Sequence, residues 1–146
     1  MSVLSKVKSL LGPDVVLISH KVADLQPLQL DKNQHFIDCV DLSQNFSYYS
    51  PYYNNYSIFS LYHQANTLLG HGTLSIPDTS EACAIAMMKL FNKFYGNPIL
   101  TLQACTTLAT VRPPKSFARK FNYTYEGVCL SSFREDYCSC GAPIIK

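Results

Sequence analysis

The sequence predicts an α/β (α+β) fold, a mixed, mostly antiparallel central sheet with helices on both faces. Three observations predict it. Hydrophobic residues make up 47% of the 146 and charged ones 15%, enough apolar matter for one core and too little charge for a disordered chain. Residues 79–95 carry a long apolar stripe at helical spacing. Short apolar and β-branched runs lie on either side of it, bounded by Gly, Pro and Asn. One domain over 1–146 is expected, with 1–55 giving the fewest signals.

Taken in order, "SVLSKVKSLL" (2–11) sets Val3, Val7, Leu10 and Leu11 on one face, a short helix stopped by Gly12-Pro13. "DVVLISHKV" (14–22) reads as a strand, rich in β-branched residues. Residues 23–35 read as loop or weak helix, and "HFIDCVDL" (35–42) as a short helix or strand. Residues 43–57, "SQNFSYYSPYYNNYS", combine Tyr48, Tyr49, Tyr52, Tyr53 and Tyr56 with Pro51 and Asn54-Asn55. Such turn chemistry predicts a long connecting loop or surface arm. Its tyrosines either form a binding surface or lie flat over the core.

"YSIFSLYH" (56–63) and "TLLGHGTLSI" (67–76) read as the two strands of an antiparallel hairpin turned at "QAN". Asp78 or Thr79 then caps a helix ending at Gly96, with Ala84, Met87, Met88, Phe91, Phe94 and Tyr95 as its buried stripe. Pro98 stops it. "PILTLQACTT" (98–107), apolar on both faces, reads as the central strand. Pro113-Pro114 open a short basic helix that ends at Asn122, a residue that tolerates the left-handed conformation. A strand from Tyr123 through Leu130 and an edge strand in "YCSCGAPIIK" complete the sheet.

The totals narrow the function classes. A net charge of +2 gives no general basic surface for nucleic acid. Arg112, Lys115, Arg119 and Lys120 form one local basic run, read as a solvated face or as an anion- or nucleic-acid-binding strip. No apolar run approaches the roughly 20 residues that span a bilayer. The N-terminus is broken by Lys6, Lys8, Gly12, Pro13 and Asp14, so no secretory signal is expected, and the location expected is cytoplasmic or within a virus particle. The sequons at Asn45, Asn55 and Asn122 then carry no glycan. Six cysteines, with Cys138 and Cys140 as an isolated C-x-C, read as free thiols rather than a disulfide framework or zinc site, and no metal is expected. Cys39 near His35 is the one cysteine with a histidine close in sequence, and the weakest case for nucleophilic chemistry.

From residue 56 onward the order and wording resemble the GNAT family of acyl-CoA-dependent N-acetyltransferases. "RKFNYTYEG" (119–127) is similar to that family's "k-x-G-F-x-x-E-G" phrase, with Tyr123 for Phe, Asn122 for Gly, and Glu126-Gly127 matching. "SIPDTSEACAIAMMKLFNKFY" stands where the family has a strand, a Gly-rich phosphate turn and a long helix. The resemblance implies that Ser75, Ile76, Thr79, Ser80, Glu81 and Ala82 occupy the cofactor-binding turn. His71 is the candidate catalytic base on the preceding hairpin, with His63 behind it. The departures matter. No glycine lies between Gly72 and Gly96, and Glu81 puts negative charge where phosphate would dock. Ala118 stands where the family carries a Tyr general acid, and Val111-Arg112-Pro113 where it carries an Asn for the pantetheine arm.

The function so implied is a catalytically degenerate GNAT-fold protein with a binding or structural role. Small diverged GNAT-like domains resemble internal virion proteins of tailed phages, which implies other virion proteins or a second copy as partners, and no cofactor. An active N-acetyltransferase using acetyl-CoA is the alternative, and an anion-binding or nucleic-acid-binding module the third reading.

Overall fold

A computed structural model of the protein describes residues 2–76, 78–112, 120–122, 124–125 and 128–129. It has mixed α/β character. The chain falls into two units, 1–112 and 113–146.

The first unit opens with α1 (Val3–Ser9), whose N-cap Ser2 accepts from the Ser5 amide and which buries no side chain. Strand β1 (Val16–Ser19) pairs in parallel with β2 (Asp38–Asp41), Val16 opposite Asp38 and Ser19 opposite Asp41. The crossover carries a 3₁₀ helix, Val22–Leu28, with Pro27 inside it and Gln29 at φ 48 ending it. One turn, α2 (Leu42–Asn45), follows β2 directly. Strands β3 (Tyr48–Ser50) and β4 (Asn55–Ser57) form an antiparallel hairpin. Three helices complete the unit: α3 (Leu61–Leu68), α4 (Ser80–Phe94) and α5 (Pro98–Thr110). They pack pairwise against one another, α4 also against β1 and α5 against β3.

The core gathers at this junction. Leu42, Phe46, Leu90 and Leu108 are fully buried, and the Phe46 ring meets Phe94 edge-on at 5.3 Å. Burial of each such side chain is worth about 1.5–3 kcal/mol. A two-stranded sheet alone would be marginal in water, and here α4 covers it.

Among the described residues the strands pair two by two, in three separate sheets. The expected strands at 56–63 and 67–76 are replaced. Only Asn55–Ser57 is extended, and 61–68 is helical. Ser60 caps this helix by accepting from the His63 amide, while Leu61, Ala65 and Leu68 recur at i, i+4 and i+7. Asn66 then holds Leu74 through both its backbone groups, so 69–76 is an anchored loop.

The expected central strand at 98–107 is helix α5. An unbroken apolar run has no period that separates buried strand from buried helix. The decision lies at its start. Gly96 takes φ 77, the Asn97 side chain accepts from the Leu100 amide, and Pro98 occupies the first turn. These residues end one helix and begin the next.

Helix α4 forms where expected, with Thr79 as its cap. Its buried face is turned by one residue, roughly 100°: Ala86, Leu90 and Phe94 are buried, whereas Met88 and Tyr95 are exposed. Apolar side chains cover most of this helix, and its neighbours select the sector that faces inward. In the second unit Asn122 takes φ 52, as expected. The single strand expected from Tyr123 is two short ones, β5 (Thr124–Tyr125) and β6 (Val128–Cys129), paired antiparallel. The expected basic helix at 113–119 and the strand beyond Leu130 lie outside the described residues.

Candidate functional site

The residues expected to form a cofactor turn lie between α3 and α4. His71 is exposed in that connection, not on a strand. Thr79 caps α4 and accepts from the Ala82 amide at 3.1 Å. The Asp78 carboxylate accepts from the amides of Ser75 and Thr79 at 2.9 and 2.8 Å, and these bonds hold its pKa below the ordinary value. Three of the amides available to a phosphate here are thus bonded within the segment. Ser75, Ser80 and Glu81 are exposed; Ile76, Asp78 and Ala82 are half-buried.

His20, His35 and His63 are tied into the fold. His63 is buried, and its Nε2 donates to the Leu108 carbonyl at 2.8 Å. That carbonyl lies in the last turn of α5, where no intrahelical donor follows. His63 therefore closes the end of α5 from α3. His20 Nε2 and Gln64 Nε2 both donate to the Phe59 carbonyl, at 2.9 and 3.0 Å. A nitrogen that donates cannot also accept, so the 3.4 Å approach between them is convergence on one oxygen, not a bond. Gln64 Oε1 is buried without a partner. His35 Nδ1 accepts the Asp31 amide at 2.9 Å, which places the ring in its own loop and gives it no role at Cys39.

Cys39 and Cys105 sit where the protonated thiol is favoured. Burial, with Asp41 and Asp38 adding to it, pushes the Cys39 thiol up, and burial raises Cys105. Cys105 Sγ donates to the Asn45 carbonyl at 3.7 Å. Cys39, Cys83 and Cys105 are free. Among the described residues no group of three His, Cys, Asp or Glu could hold a metal ion, and no helix is long and apolar enough to cross a membrane. Arg112 is exposed at the end of the first unit. Lys115 and Arg119 lie outside the described residues, and Lys120 Nζ sits 5.8 Å from the Phe121 ring centroid.

The surface feature that stands apart is the β3–β4 hairpin. Tyr48, Tyr49, Tyr52, Tyr53 and Tyr56 are all exposed, Tyr52 by 87% and Tyr53 by 75%. The rings are organised. Tyr49 and Tyr56, directly opposite in register, meet edge-on at 5.3 Å, and Tyr52 and Tyr53 do so at 4.8 Å. The Tyr49 hydroxyl donates to Asn54 Oδ1, and Asn54 takes φ 49 to turn the chain. No Asp, Glu, Lys or Arg occurs between Asp41 and Asp78. The sequence marked these tyrosines as a possible surface. Their pairing needed the register to become visible.

An apolar groove of about 450 Å³ lies where α4 turns into α5, lined by Phe46, Phe91, Phe94, Tyr95, Pro98 and Leu102. A second depression of about 460 Å³ runs between β1 and the 3₁₀ helix, over Leu17, Leu25, Leu30 and Phe36. Periodicity could not have found either, because each joins segments distant in sequence. Compared with known proteins, the chain matches no family model, no curated protein and no solved structure.

Proposed function

We propose that this protein acts by binding another protein through the β3–β4 hairpin, without catalysing a reaction. The observation that carries this is the set of five exposed tyrosines, two pairs of them meeting edge-on, on a hairpin without charged residues. Tyrosine supplies large contact area for few rotatable bonds, and rings already held in place lose little freedom on binding. A nucleic acid would be drawn chiefly by phosphate contacts with Lys or Arg, and the hairpin has none. The partner surface is therefore neutral and partly apolar. A virion partner belongs to this reading as one setting for it.

The acyl-CoA alternative has less behind it. Segments 61–68 and 98–110 are helices where that architecture would carry strands, and the amides of Ser75, Thr79 and Ala82 are bonded to Asp78 and Thr79.

The test compares proteins retained from the source cells by the immobilised chain and by a Tyr52→Ser/Tyr53→Ser/Tyr56→Ser variant. Any partner kept by the first and lost by the second is then purified and titrated against both. Removing central aromatic anchors should weaken that complex at least about 30-fold. Equal retention by both chains, or no specific partner at all, overturns the reading.

A further inference from the structure

The depression between β1 and the 3₁₀ helix differs from the groove beside α5, because its lining carries both signs of charge. We propose that it binds a free α-amino acid with an apolar side chain, independently of the hairpin.

The strand alternation that builds the core also builds this site. Successive residues of a strand point to opposite faces. Ile18 stands opposite Val40, and both pack into the core. Leu17 stands opposite Cys39, and both line the depression on the other face. The crossover supplies the rest of the wall: Leu25 from the 3₁₀ helix, then Leu30, Lys32 and Phe36 from the loop behind it. That loop is tied to itself. The Asn33 amide donates to the Phe36 carbonyl at 2.7 Å and the His35 amide to the Asp31 carbonyl at 2.9 Å. The Asp31 amide donates to His35 Nδ1 at 2.9 Å. Leu17, Leu25, Leu30 and Phe36 are half-buried, so apolar surface is left in a recess already shaped. Its volume of about 460 Å³ is within the range of small-molecule sites.

The charges choose the ligand. Lys32 and Asp38 both line the recess and both are exposed. Among the described residues neither joins an ion pair, with the other or elsewhere. Asp38 Oδ1 accepts from the Cys39 amide at 2.9 Å, which leaves Oδ2 open. An apolar floor with one cation and one anion beside it matches a zwitterion. The ligand's carboxylate meets Lys32, its ammonium meets Asp38, and its side chain lies over the leucines and Phe36. Hydrogen bonds between ionised groups are the strong ones. A fatty acid would set its carboxylate near that of Asp38, and an apolar amine its ammonium near that of Lys32. A neutral apolar molecule would draw both charges out of water with nothing in return.

Isothermal titration calorimetry of the full chain with L-leucine reads it, beside isocaproate (leucine without its ammonium) and isoamylamine (leucine without its carboxylate). Leucine should bind one site with a dissociation constant below about 1 mM. It should bind at least about 10-fold tighter than either analogue, the loss expected for one charged hydrogen bond. Lys32→Met should close the gap between leucine and isoamylamine. Asp38→Asn, which can still accept from the Cys39 amide, should close the gap between leucine and isocaproate. Both positions are exposed, and far-UV circular dichroism checks that each variant is folded. Asp24→Asn, on the 3₁₀ helix but outside the lining, should leave binding unchanged. So should Tyr52→Ser/Tyr53→Ser, which separates this site from partner binding at the hairpin. No saturable leucine binding up to about 10 mM overturns the proposal, whether the recess is bare or filled from within the chain. So does equal affinity for leucine and either analogue, or leucine binding that survives Lys32→Met or Asp38→Asn unchanged.

Discussion

Single side chains carry the joints of this fold, and Asp41 is the plainest case. It ends β2 and caps α2, its carboxylate accepting from the Ser43 hydroxyl and from the amides of Val22, Ser43 and Gln44. Burial pushes its pKa up, but the hydrogen bonds outweigh burial and hold it below 3.8. The sign follows. A carboxyl lowered by folding stabilises fully above its ordinary value and loses that contribution as pH falls through the lowered one. Asp41→Ala should therefore cost about 1 kcal/mol at pH 7, as for other helix caps. Thermal melts of the two chains should converge as pH drops below 3.8. A gap that stays constant as the pH falls from 7 to well below the ordinary carboxylate range would show that the carboxylate is not the capping group. His63 is the other such joint. It looks like a catalytic candidate in sequence and is instead a buried tie between α3 and the last turn of α5.

At the scale of elements the boundary residues decide what apolar content leaves open. The run 98–107 would suit either a central strand or a buried helix. Asn97 decides it by capping, with Gly96 behind it at φ 77 and Pro98 ahead. Asn97→Ala should destabilise the protein by about 1 kcal/mol, visible as a melting temperature lower by about 4 °C. An unchanged melt would mean that packing of Ala104, Cys105 and Leu108 alone sets the start of α5. The same logic runs through α3, where Ser60 does what Asn97 does for α5. The Tyr-rich segment obeys a different rule. Its strands are three residues each, too short to show alternation, and one aromatic pair, Tyr49 opposite Tyr56, holds the register.

In the first unit α3, α4, α5 and a small parallel pair pack around one apolar junction, with the hairpin tyrosines and Ile99 and Leu102 of α5 left exposed. An acyl-CoA enzyme would need a cleft whose free amides meet a pyrophosphate. Acetyl-CoA at 100 times a real dissociation constant would stabilise the folded chain by about 2.7 kcal/mol. That is a rise of about 10 °C in a domain of this size. The binding reading expects no shift, and a clear rise would restore the enzyme reading.

By itself the sequence determined the α/β mixture, the helices at 3–9 and 80–94, the first strand and the left-handed Asn122. Each of these rests on local physics: caps, turn residues, β-branching, or a period of 3.6. The structure shows 61–68 and 98–110 as helices: their apolar patterns fit two conformations, and the caps at Ser60 and Asn97 together with the partners they pack against select the helix. It also decided which sector of α4 faces inward, that His63 is a tie, and that Ile99 and Leu102 stand exposed. Those facts depend on what lies across the core, and that information is spread over segments far apart in the chain.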